Sequence, residues 1–246
     1  MTRDIITRRR VLAAVGSLGF LGASARVGRG ALGLERVEFT RQMQINESES
    51  MPDVLLNWRE TYNGAVLEES GFTTAPTAGP ASPIVGLTDL VPGDEGSLTL
   101  QVALGEGETE STPTSARIRL TVELYENSDE GVNEPEREAG DVPGTVGDLG
   151  DAVELEIRYD DGCNGTDLPV LPDDPTIAAG TVVDVAEDSP LADGVELQSP
   201  GACFDVGEST CLTMTWTLPE GIGNVIQGDS LGFRLRFTPL PCSGGG

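Results

Sequence analysis

Apolar and polar residues alternate along five stretches of this chain. Leu98, Leu100, Val102 and Leu104 alternate with Ser97, Thr99, Gln101 and Ala103, and Ile118, Leu120, Val122 and Leu124 with Arg117, Arg119, Thr121 and Glu123. Val153, Leu155, Ile157 and Tyr159 are interleaved with Glu154, Glu156 and Arg158. Leu212, Met214, Trp216 and Leu218 alternate with threonines, and Leu231, Phe233, Leu235 and Phe237 with Gly232, Arg234 and Arg236. A period of two sends successive side chains to opposite sides of an extended backbone, so each stretch predicts a strand with one apolar and one wet face. Such strands suit antiparallel sheets, and two sheets of this kind must cover each other's apolar faces. The expected fold is therefore all-β, an antiparallel β-sandwich. Trp216, in the fourth of these stretches, and Trp58, in a further strand-like segment, are expected as core anchors, with Met214 as core filling.

The connections read as turns and loops. There are 32 glycines and 16 prolines, which favour many turns over long helices. Pro92-Gly93-Asp94-Glu95-Gly96 predicts a tight turn feeding the strand after it. Residues 70–83, rich in Pro, Thr, Ala and Gly, read as a loop, and residues 126–151 as an acidic excursion with a short helical turn around Val146–Ala152. No repeat of 20–50 residues is present, and residues 34–246 fit one all-β domain.

The first 33 residues differ from the rest. Arg8-Arg9-Arg10 precede an apolar run from Val11 to Ala23, and Ala23-Ser24-Ala25 offers a small-residue cleavage site. That is the pattern of an export signal cut near residues 25–33, and Thr7-Arg8-Arg9-Arg10-Val11-Leu12 looks like a twin-arginine signal. The run is shorter than the roughly 20 apolar residues that a span requires, and no later stretch is apolar enough. The expected location is extracellular or at the cell surface.

Charge narrows the partners. Of 246 residues 41 are acidic and 15 basic, every basic one an arginine, with no lysine and no histidine. After residue 33 nine arginines face 40 acids. Self-repulsion at that charge opposes a compact state in dilute buffer, whereas molar salt shortens the Debye length to about 3 Å. Salty surroundings are thus expected, and nucleic acid, which needs a basic footprint, is not an expected partner.

The four cysteines of an exported chain predict disulfides. Cys163, Cys203, Cys211 and Cys242 allow three pairings; Cys211 and Cys242, at the start and end of two antiparallel strands, are expected to join, leaving Cys163 with Cys203. Without histidine, the His-Glu-x-x-His zinc peptidase and the Ser/His/Asp and Cys/His catalytic arrangements are excluded, and no enzyme activity is expected. Asn127, Asp129, Asn133 and Glu134, with Gly131 between them, are a candidate calcium loop, set against the simpler reading of a solvated acidic loop. Asp160, Asp161 and Asp167 form a second acidic cluster. Asn46-Glu47-Ser48 and Asn164-Gly165-Thr166 are N-glycosylation sequons.

Several segments taken in order resemble the TasA/camelysin-like family, in the form found in halophilic archaea with SipW-type signal peptides. They are Val54 through Gly64, Leu90 through Leu100, Glu126 through Glu136, Tyr159-Asp160-Asp161-Gly162, and Cys211 through Pro219 continuing by Gly223 through Ser230 to Phe237 and Cys242. The resemblance implies a jelly-roll sandwich outside the cell and, as in some members, filaments built by donating an N-terminal strand to the next subunit. Where members carry an aromatic-Ser-Asp-Thr-Glu-like stretch, this chain has Arg36-Val37-Glu38-Phe39-Thr40-Arg41. Val37, Phe39, Met43 and Ile45 share one side of an extended segment, which serves either as an assembly strand or as the first strand of its own sandwich. The expected function is a secreted, non-catalytic structural or adhesive subunit that self-associates; the alternative is a secreted monomeric binding module for calcium or surface glycans.

Overall fold

The computed structural model describes residues 9–12, 41–45, 50–67, 84–107, 109–129, 131–140, 144, 146–165 and 175–242. The cleavage region, Val37, Phe39, the loop at 70–83, Asn46 and Asp167 lie outside them. The strands are β1 (Arg9–Leu12), β2 (Arg41–Ile45), β3 (Val54–Tyr62), β4 (Ala65–Val66), β5 (Ile84–Thr88), β6 (Glu95–Leu104) and β7 (Ser115–Ser128), followed by β8 (Glu154–Tyr159), β9 (Thr176–Thr181), β10 (Val195–Glu196), β11 (Phe204–Asp205), β12 (Ser209–Thr217) and β13 (Ser230–Pro241). Two sheets result, ordered β1-β5-β13-β7-β10 and β2-β3-β6-β12-β8-β9, with β11 on β7 and β4 on β3. All pairings are antiparallel.

The order β5-β13-β7-β10 opposite β6-β12-β8-β9 is that of a jelly roll, two interleaved Greek keys in which the chain keeps crossing between sheets. Only β8 and β9 follow each other within one sheet of this eight-stranded unit. The alternation explains why the sheets adhere. Leu98, Leu100, Val102 and Leu104 are buried, as are Ile118, Leu120 and Val122, Leu155 and Ile157, Leu212, Met214 and Trp216, and Leu231, Phe233, Leu235 and Phe237. They belong to one continuous core together with Trp58, which like Trp216 is 1% exposed.

Trp216 also dictates a glycine. It lies opposite Gly96 in the register, and a Cβ at position 96 would stand 2.5 Å from its indole Nε1. The predicted turn before Gly96 is tied by Asp94, whose carboxylate accepts from the Tyr62 hydroxyl at 2.7 Å, Asn63 Nδ2 at 2.9 Å and Val91 N at 2.9 Å.

The disulfide pairing differs from the expected one. Cys163 bonds Cys211, with Cα atoms 5.4 Å apart, and Cys203 bonds Cys242, with Cα atoms 6.2 Å apart. The expectation treated β12 and β13 as neighbours, but the chain changes sheets between them. Cys211 on β12 adjoins the end of β8, where Asp160 N donates to Cys211 O at 2.9 Å and brings Cys163 alongside. Cys242 follows β13 in the other sheet. There both β11 and the end of β13 pair with Ala116 of β7, which places Cys203 next to Cys242.

Among the described residues three short helices, α1 (Glu134–Ala139), α2 (Leu149–Ala152) and α3 (Pro190–Asp193), decorate the connections, with a π turn at Asp184–Asp188 and a 3-10 turn at Asn224–Ile226. α2 falls within the helical turn expected around Val146–Ala152.

Candidate functional site

The acidic excursion is organised by its own side chains. Asn133-Glu134-Pro135-Glu136 forms a capping box: Asn133 Oδ1 accepts from Glu136 N at 3.2 Å, and Glu136 Oε2 accepts from Asn133 N at 2.5 Å. Asn133 Nδ2 donates to Gln227 O at 2.9 Å, tying α1 to the turn before β13. Asn127 Oδ1 accepts from Gly150 N at 3.2 Å. Asp129 accepts from Gly131 N at 2.6 Å and, through its other oxygen, from Gly144 N at 3.1 Å. Glu134 sits exposed in the first turn of α1. Of the four candidate calcium ligands, three therefore spend oxygens on backbone amides and the fourth faces outward. Among the described residues no group of three or more Asp, Glu, Cys or His is arranged to hold a metal ion.

Two buried carboxylates that the sequence did not single out anchor the same end. Asp229 Oδ2 accepts from Asp148 N at 2.6 Å and Leu149 N at 3.1 Å, so it caps α2 from 80 residues away. Burial lifts its pKa to about 6; the two N–H donors oppose the rise, and Asp129 and Asp148 add to it. Glu136 is fully buried, and its Oε1 has no hydrogen-bond partner among the described residues. The sequence signal for Glu136 was its place three residues after Asn133. For Asp229 no local signal existed.

The second acidic cluster is structural where it is described. Asp160, 1% exposed, accepts from Asn164 N at 3.1 Å, Gly165 N at 2.7 Å and the Thr213 hydroxyl at 2.8 Å. It thereby holds the turn in which Cys163 adopts a φ of 50° next to its disulfide. The same turn buries Asn164 to 4% exposure and encloses its Nδ2, the atom to which a glycan would attach. The sequon at Asn164 is thus closed to modification in the folded chain. Burial also raises the Tyr159 hydroxyl above its usual pKa, opposed by the Gln198 N–H that it accepts at 2.9 Å.

The sheet edges are the other feature with functional content. β1 adds antiparallel to β5 over Arg9↔Leu87 to Leu12↔Ile84, although residues 13–83 separate them in sequence. β2 forms the edge of the opposite sheet, pairing Met43 with Leu56 and Ile45 with Val54 of its own chain. Ile45 is buried in the core. Both outermost strands on this side of the sandwich thus come from the N-terminal part of the chain. No helix among the described residues is long and apolar enough to cross a membrane. No protein-family model matches the chain, and no curated protein matches it.

Proposed function

We propose that the chain is a secreted, non-catalytic structural or adhesive subunit of the cell surface or extracellular matrix, whose sandwiches join by strand exchange or edge pairing. The observation that carries the reading is the β5 edge. It is completed by four residues, Arg9–Leu12, that belong to the export signal and would leave with it. A chain cut near residues 25–33 then presents the N–H and C=O groups of β5 as a template for another strand, the ordinary route to β-augmentation. The two disulfides suit an oxidising location. The test is electron microscopy of protein beginning at residue 34, concentrated in molar salt. Regular filaments are expected, with assembly lost when residues 34–46 are deleted. Isolated particles that sediment as monomers would sink this reading and favour a monomeric binding module.

A further inference from the structure

Arginine is scarce in this chain, yet four of the nine arginines after residue 33 fall on one side of one sheet. Arg117 and Arg119 project from β7 and Arg234 and Arg236 from β13, on the face opposite the core residues Ile118, Leu120, Leu235 and Phe237. The register sets Arg234 beside Glu123, Arg236 beside Thr121, and Arg119 beside Thr238, so the four form a continuous stripe. Two carboxylates serve all four. Glu123 contacts Arg234 Nε at 3.5 Å and Arg236 Nε at 3.2 Å, and Glu196 contacts Arg117 Nη1 at 2.7 Å and Arg119 Nη2 at 4.0 Å. The guanidinium side chains remain between 30 and 42% exposed. Tyr125 ends the stripe: its ring lies over Gly232, where a Cβ would come within 2.4 Å, and Arg234 stands 5.3 Å from the ring centroid. Glu126 lies beyond Tyr125 and is the nearest further acid along β7.

The opposite outer face carries the complement. On β8, β9 and β12 an open depression of about 430 Å³ is lined by Glu154, Glu156, Asp184, Thr181, Thr215 and Thr217, and no arginine is among the described residues of its wall. Carboxylates and hydroxyls accept the hydrogen bonds that guanidinium groups offer, and arginine–carboxylate forks keep their geometry at contact distance where long-range attraction is screened.

The geometry points to a second copy of this chain as the partner of the stripe: the arginines of β7 and β13 dock on the Glu154–Glu156 depression of the next sandwich. The two surfaces lie on opposite outer faces, so the contact is heterologous, stacks sandwiches face to back and leaves both ends open for further copies. This inference rests on the self-assembly reading above but uses the sheet faces rather than the strand edges.

The test is sedimentation velocity of the full chain over a concentration series in molar salt, for wild type, Arg234→Glu/Arg236→Glu and Glu154→Arg/Glu156→Arg. Each reversal variant alone is expected to lose at least tenfold in association, and an equimolar mixture of the two is expected to recover it, because each restores opposite charge across the contact. Arg234→Gln/Arg236→Gln, which adds no like charge beside Glu123, should show the same loss and covers the case in which the glutamate variant melts. Reversal and neutral variants that associate like wild type would overturn the face contact and leave edge pairing standing. A full-length wild-type chain that stays monomeric would overturn the face contact, whereas edge pairing, which requires Arg9–Leu12 to leave β5, is decided by the protein beginning at residue 34. Monomeric wild type retained on a carboxylated polysaccharide column, and released by Arg234→Gln/Arg236→Gln, would assign the stripe to an acidic polymer and overturn the second-copy proposal.

Discussion

The layer between the sheets and the loop ends of the sandwich are held by different forces. Between the sheets nearly every contact is apolar: Trp58, Trp216, Phe204, Phe233 and Phe237 are each at most 1% exposed. Burial of that kind is non-directional and indifferent to proton concentration. At the two loop ends the same chain uses directed bonds in which backbone N–H groups donate to carboxyl and amide oxygens, those of Asp229, Asp129 and Asn127 at the end that carries α1 and α2 and those of Asp160 at the opposite end, beyond β8. Such groups stabilise only while their donors, charge state and position all hold. A strongly acidic chain can therefore keep a core that does not titrate while placing its electrostatic sensitivity in the loops at the two ends.

The largest expected effect breaks the apolar side of that contrast. Trp216→Ala removes the indole that fills the space above Gly96 and should cost about 3–5 kcal/mol, read from denaturant unfolding in constant salt. Its cost should hardly change between pH 5 and pH 8. Next comes the covalent tie. Cys163 and Cys211 lie 48 residues apart, so replacing both with serine should cost about 2–4 kcal/mol by relaxing the unfolded chain. Peptide mapping without reduction should recover Cys163–Cys211 and Cys203–Cys242; recovery of Cys211–Cys242 would refute the fold's placement of β12 and β13 in separate sheets. Third, Asp160→Ala strands the N–H groups of Asn164 and Gly165 and the Thr213 hydroxyl, at about 2–3 kcal/mol. Asp160→Asn, which keeps an acceptor, should recover part of the loss, and equal melting of the two variants would deny the carboxylate its anchoring role.

The contrast also explains what could be read from the sequence. The strands of the core were legible because a half-buried strand writes its burial into a period of two, as Leu98 through Leu104 and Leu231 through Phe237 show. β9 was not: Thr176–Thr181 contains Ala178, Ala179 and Gly180, and of its residues only Ala178 is buried. β10 and β11 are two residues each and exist because β7 offers them a partner, which no local pattern reports. The starts of α1 and α3 were present as Asn133 before Pro135 and Glu136 and as Ser189 before Pro190. The oxygen-rich residues of the loop ends were visible by type, but their use as caps depends on chain reversals such as the one that brings Asp229 to Asp148. The arginines at alternate positions 117, 119, 234 and 236 were visible too, whereas their union into one stripe required the register of β7 with β13.

The smallest expected effect sharpens the contrast at a single group. Asp229 has its pKa raised from 3.8 to about 6, so the folded chain holds this proton more tightly than the unfolded chain. Linkage then fixes the sign: the stability contributed by protonated Asp229 is fully present below pH 4 and is lost as pH rises through 6. Asn at this position keeps an oxygen for the Asp148 and Leu149 amides but neither titrates nor meets repulsion from Asp129 and Asp148. Asp229→Asn should therefore be more stable relative to wild type at pH 7.5 than at pH 4.5, by on the order of 1 kcal/mol once salt has screened the neighbouring charges. Paired thermal melts at the two pH values in fixed molar salt read that difference directly, and because both proteins share every other carboxylate, the rest of the acid titration cancels. A gap that stays constant with pH would place the electrostatic sensitivity of this loop end somewhere other than the α2 cap.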